Sequence, residues 1–205
     1  MTHELSVQLI GAWRTTSWIE VAAAALAVLY VLLAIPQKLS CWAAAFVSSC
    51  LYVWIMFGAR LYMESLLNAY YAAMAVYGFW QWQHGAGGAT LPVRRWPAAH
   101  HAAALLGVIG LSAVTWYFLR RYTPSPWPFM DSMVTWSSVF ATYLVARKVY
   151  ENWYWWLIID AVCLCLYFNR RLYLTMLLFA LYVLLSVVGL RQWRRDLTAA
   201  DHAAG

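Results

Sequence analysis

RLYMESLLNAYYAAMAVYGFWQW (residues 60–82) returns, without a gap, as RLYLTMLLFALYVLLSVVGLRQW (residues 171–193). The offset is 111 residues, and 11 of the 23 positions are identical. Matches between apolar residues arise easily in a hydrophobic chain. The pairs Arg60/Arg171, Gly78/Gly189, Gln81/Gln192 and Trp82/Trp193 do not, and Tyr62/Tyr173 and Tyr71/Tyr182 join them. The same register runs backward: Trp42 falls on Trp153, Phe57 on Phe168, and Glu20 on Asp131. One structural unit therefore occurs twice in this chain.

Composition says what solvent surrounds that unit. Of 205 residues, 64% are hydrophobic and 11% are charged, against about 25% charged in an ordinary soluble domain. A span needs about 20 apolar residues. Seven such stretches fit, at roughly 17–35, 40–58, 61–82, 101–119, 131–149, 153–169 and 171–193. The expected class is an all-α polytopic membrane protein with two three-helix repeats, 17–82 and 131–193. Loops and a linker helix over 83–130 join them, with an N-terminal segment 1–16 and a polar, frayed tail 194–205. Three helices plus one linker put the second unit into the membrane in the same direction as the first, so the repeats are parallel. Repeats of this kind occur in transporters, with the substrate site between the halves near the midplane.

Several function classes drop out. The net charge is +6, but the basic residues sit as short clusters at helix ends, the membrane-flank pattern, and nucleic acid is not an expected partner. Eight Lys and Arg lie at the ends reached by odd-numbered helices against six at the other, which favours a cytoplasmic C-terminus. Cys41, Cys50, Cys163 and Cys165 read as small buried hydrophobes with no metal-ligand spacing. The five His lie at termini and loop edges, His100-His101 as a wet helix start, so no metal or other cofactor is expected. No Walker-type glycine loop or nucleophile elbow is present, and an enzyme is not the expected reading. Residues 1–16 lack the pattern of a signal peptide.

Polar groups inside a span are costly and are the first functional candidates. Asp160 lies well inside the sixth span, and Trp153 and Trp156 precede it by seven and four residues, on one helical face. Two indoles above a carboxylate suit a flat, positively charged ring. The competing reading pairs Asp160 with Arg147 or Lys148 for stability alone. In the third span Glu64, Asn68 and Tyr71 share a face. Asn68 matches Phe179 in the repeat, so symmetry does not require an amide there, and a helix–helix hydrogen bond is the alternative. Glu64 lies nearer the boundary, where it is either part of the site or solvated. Trp42 either walls the site from the other half or anchors at the interface. Tyr182, the counterpart of Tyr71, completes the candidates. Trp155 points away from Trp153 and reads as a lipid-facing belt residue, while Glu20 and Asp131 meet the dipoles of the helices they open.

These residues resemble a known family. The stretch WPFMDSMVTWSSVFATYLVARKVYENWYWWLIID (127–160) is similar to the second half of the PnuC family of bacterial vitamin transporters, whose hallmark is a Trp, two residues, a Trp, three residues, then Asn or Asp. Here those are Trp153, Trp156 and Asp160. Residues 61–82 resemble the family's third helix, with Asn68 at an amide position. The resemblance covers nearly all of 17–193. It implies a 3+1+3 fold related to the sugar-transporting SWEET proteins, in a bacterial inner membrane. It implies facilitated diffusion of nicotinamide riboside by alternating access, substrate contacts from the two Trp and Asp160, and a homotrimer. Relatives of the PnuT type carry thiamine, and Asp rather than Asn at 160 favours that alternative. Riboflavin, proton coupling and a non-transporting receptor are the remaining readings.

Overall fold

The structure is a computed structural model that describes residues 17–85, 87, 90–122 and 127–204, without side chains over 200–204. The N-terminal segment read above as lacking a signal peptide lies outside the described residues.

Seven helices make up the fold among the described residues: α1 (Trp18–Ala34), α2 (Cys41–Gly58), α3 (Tyr62–His84), α4 (Ala98–Tyr122), α5 (Pro128–Ala146), α6 (Asn152–Asn169) and α7 (Tyr173–Ala204). Local chemistry explains their ends. Ser17 and Glu20 form a reciprocal capping box on α1, which satisfies two of its free amides. Asp131, the matching acid, opens α5 and pairs with Arg170 at 3.1 Å. Pro128 stands in the first turn of α5, where its missing N–H leaves no bond unmade.

The exits are made by left-handed residues, at repeat-related places. Gln37 (φ 58°) and Lys148 (φ 48°) follow α1 and α5, and Arg60 (φ 61°) and Arg171 (φ 57°) follow α2 and α6. Each is followed by a bond reaching back five residues: Lys38 to Leu33, Val149 to Leu144, Leu61 to Met56 and Leu172 to Tyr167. These are Schellman closures with a non-glycine residue in the left-handed position. They stop α5 at Ala146, short of the expected 149. The final helix instead overruns its span, through the tail expected to fray. Leu197 is buried there, and Asp196 accepts from Gln37 and Gln192, so tertiary contacts hold the tail helical.

The helices form a ring. α1 packs on α2, α2 on α3, α3 on α5, α5 on α6, α6 on α7, and α7 returns to α1, while α4 packs on α5 from outside. Shifting the first three helices by 111 residues maps the contacts of the ring onto one another, while the contact of α4 has no counterpart. The α3–α5 and α7–α1 contacts are the two seams between halves.

The ring is inside out relative to a soluble protein. Trp54, Leu106 and Ile158 face outward, while Ser138, Thr142, Asp160 and Ser186 are buried. That arrangement suits hydrocarbon outside and polar partners inside. Three helices are long and apolar enough to cross a membrane on length and hydropathy alone: Cys41–Gly58, Ala98–Tyr122 and the Tyr173–Ala199 part of α7. Of the others, α3 and α6 carry most of the candidate polar and aromatic residues, which is what lowers their hydropathy.

Candidate functional site

The end of the ring where α3 and α7 leave it is packed with indoles. Trp42 meets Trp82 edge-on at 5.2 Å, Trp153 meets Trp193 edge-on at 5.5 Å, and Trp82 lies 6.2 Å from Trp193. The Trp42 ring fills the space over Gly78, and the Trp153 ring fills the space over Gly189; a Cβ at either glycine would overlap the ring. Glycine is needed here for close approach, not for backbone freedom. All four indoles are buried, and both wedges follow the repeat.

Depth separates the three residues of the α6 face. Trp153 belongs to this tryptophan end. Trp156, one turn deeper, is half-buried and touches the central apolar cluster as well as a second one around Ala141, Ile159 and Cys163. Asp160 lies at mid-helix, 4% exposed, and its Oδ2 accepts a hydrogen bond from Ser186 Oγ at 3.2 Å. The proposed basic partners go elsewhere. Arg147 donates to Tyr77 Oη at 3.3 Å, and the Lys148 ammonium lies over the Trp82 ring. Among the described residues, no ion pair involves Asp160.

Tyr182 stands near Asp160 and Tyr52. Tyr71 stands beside Ser138, with Tyr70 5.9 Å away. Two groups of polar side chains thus lie inside the ring: Asp160 with Ser186 and Tyr182, and Tyr71 with Ser138. Ser186 and Ser138 were not among the sequence candidates. For Ser186 a signal existed: its repeat counterpart is Ala75, so it breaks the symmetry as Asp160 does against Ser49.

Two candidates lie apart. Asn68 Nδ2 donates to Glu64 O at 2.8 Å, one turn back on its own helix, and Glu64 is exposed toward the opposite end. The structure gives Asn68 this local bond. Trp155 is a correction. Instead of facing lipid, it packs edge-on against Phe140 at 4.9 Å, and its Nε1 donates to His101 Nδ1 of α4 at 3.4 Å. Phe140 of α5 and His101 at the start of the linker helix meet that side of α6, which spacing within α6 could not reveal. His101, read as part of a wet helix start, is half-buried in this contact.

A cavity of about 560 Å³ opens elsewhere, on the outer face of α6 between Trp127, Met130, Ile158, Val162 and Asn169. Its walls are almost wholly apolar and include none of the candidates, so it suits hydrocarbon chains rather than a charged ring.

Comparison with known proteins places the chain in a family. The family model described as nicotinamide mononucleotide transporter matches residues 17–195. The nicotinamide riboside transporter PnuC of Escherichia coli is 28% identical over 204 residues, covering 86% of this chain and 85% of that protein. The riboflavin/roseoflavin transporter RibM of Streptomyces davaonensis is 27% identical over 192 residues, covering 87% of each. A crystal structure of the vitamin B3 transporter PnuC superposes with a TM-score of 0.74 over 95% of this chain and 88% of that one, at 20% identity, a likeness of fold. With a family match running from the first helix to the end of the second repeat, the chain belongs to the nicotinamide mononucleotide transporter family.

Proposed function

We propose that this protein carries nicotinamide riboside across the bacterial inner membrane by facilitated diffusion, with the two three-helix halves alternating access to a site around Asp160. One observation carries the reading. A carboxylate at mid-helix, 4% exposed, is met by a neutral serine hydroxyl. An ionised group so placed is costly without a counter-charge, and a fixed cationic ring between Trp156 and Tyr182 supplies one. Indole and phenol faces favour the same ligand. Trp153 and Trp42 then serve as walls at the tryptophan end, with Asn68 and Glu64 toward the other end.

Nicotinamide riboside and thiamine both bear such a ring; riboflavin does not. The relatives described above carry nicotinamide riboside or riboflavin, which favours the first over thiamine. Those relatives are transporters, and we assign no catalysis to this chain. A homotrimer is part of the proposal, and native mass measurement in detergent counts it.

The test is a tryptophan-fluorescence titration of purified protein with nicotinamide riboside, thiamine and riboflavin, followed by uptake into liposomes without any ion gradient. Saturable quenching by nicotinamide riboside and gradient-free uptake are expected. Uptake that appears only under a pH gradient replaces facilitated diffusion with proton coupling. A response to riboflavin alone defeats the cation argument. Binding without uptake marks a receptor.

A further inference from the structure

Side chains tie the halves together at the tryptophan end in repeat-related pairs. Trp82 Nε1 donates to Val145 O at 3.0 Å, and Trp193 Nε1 donates to Ala34 O at 3.3 Å and Ile35 O at 3.1 Å. Val145 and Ala34 are themselves 111 residues apart. Gln37 and Lys148 are the second pair, each presented by a left-handed residue at a helix exit. Gln37 Nε2 donates to Asp196 Oδ2 on α7 at 2.6 Å. Lys148 makes no matching bond across its own seam, because the first-half counterpart of Asp196 is Gly85; Asp196 itself lies within electrostatic reach of its ammonium. The Lys148 ammonium folds instead over the Trp82 ring of α3, 4.6 Å from the ring centroid, and the residue is 6% exposed.

A loop lysine normally extends into water, since its ammonium is strongly hydrated. Here it is drawn under the surface onto an indole of the other half. Its backbone carbonyl accepts from Arg94 N of the linker segment, which holds the turn in place. At the opposite end, the ion pair Arg170–Asp131 joins α6 to α5 within one half and ties nothing across a seam.

We propose that Lys148 is the latch of the tryptophan end, a tethered cation that closes the transport path by resting on Trp82 and lets go when that end opens. The proposal rests on the transport reading above. It gives the lysine a task that its counterpart Gln37 performs by a hydrogen bond: holding one half against the other. A cation also suits this place because a positively charged substrate behind a closed gate meets like charge until the latch swings away.

Cys41 is a native reporter. It is 0% exposed, in the first turn of α2 and close to Lys148. A membrane-impermeant maleimide, with labelled sites read by peptide mass spectrometry on monodisperse protein, measures how often this end opens. Lys148→Gln is compatible with the backbone, as Gln37 adopts the same conformation. It is expected to speed Cys41 labelling about fivefold or more, the population change for losing one desolvated cation–π contact. Lys148→Arg, which keeps the cation, is expected to stay near the unsubstituted rate. Trp82→Leu removes the ring together with its bond to Val145 and is expected to speed labelling at least as much as Lys148→Gln. Unchanged labelling in Lys148→Gln or in Trp82→Leu overturns the latch, and so does Lys148→Arg labelling as fast as Lys148→Gln. This readout needs no substrate. A chain that fails to carry nicotinamide riboside defeats the proposed function, while the labelling result decides the latch.

Discussion

The two halves are alike where they hold each other and unlike where a ligand would sit. Trp42 and Trp153 wedge over Gly78 and Gly189 in the same way, and Trp82 and Trp193 each bond a carbonyl across a seam. One turn deeper the correspondence is partial: Tyr71 and Tyr182 still match, but other positions differ. Trp156 faces Ala45, Asp160 faces Ser49, and Ser186 faces Ala75 in the register. A scaffold that must swing about a central axis gains from symmetric packing, since both seams then break and form alike. A small asymmetric ligand gains nothing from two equal walls. On the proposed function, the matched packing serves the scaffold and the unmatched Trp156, Asp160 and Ser186 serve the ligand.

The largest expected effect tests the symmetric part. Trp82→Ala and Trp193→Ala should each destabilise the protein by about 3–5 kcal/mol, the range for truncating a buried aromatic. Thermal unfolding in detergent measures both. Costs that differ by more than about half would break the equivalence of the seams. Next come Gly78→Ala and Gly189→Ala, expected at about 1–3 kcal/mol each because a methyl is forced into a filled wedge. If either is neutral, its indole has room to move and is no wedge.

Asp160→Asn tests the asymmetric part. It keeps the shape and removes the charge, so nicotinamide riboside binding should weaken by about 1–2 kcal/mol, roughly five- to thirtyfold, with stability unchanged or raised. Ser49→Ala at the matching place should leave affinity within about twofold. Equal losses at both would mean that the ligand spans the axis symmetrically. The smallest effect belongs to Arg170→Ala. Its pair with Asp131 is half-exposed and has no counterpart, since position 59 is Ala. The expected cost is about 1 kcal/mol or less, and a larger shift in unfolding midpoint would show that this end also bears structural load.

Some of this was legible without coordinates. Trp153, Trp156 and Asp160 were readable because helical spacing alone puts them on one face, and the repeat was readable because polar residues recur at a constant offset. Asn68 shows what sequence leaves open. Its position in the third span made it resemble Asp160, and its Nδ2 also finds a carbonyl within its own helix at Glu64. A Ser or Asn side chain always has that local option, and sequence does not say whether it is taken. Trp155 failed for a different reason: its exposure depends on Phe140 of α5 and His101 of α4, which lie outside its own helix.

The sequence by itself determined the number of helices, the repeat register and the residues that share each helical face. Those follow from local geometry: a period of 3.6 residues, a span length set by hydrocarbon, and a fixed offset. Only the tertiary structure decided which faces meet. It put Ser186 on Asp160, Lys148 on Trp82 and Asp196 on Gln37. Each of these contacts depends on how a helix is rotated in the ring, and that rotation is set by packing against neighbours distant in sequence. The Trp–Gly wedges are the clearest instance, because a glycine records only that something must come close.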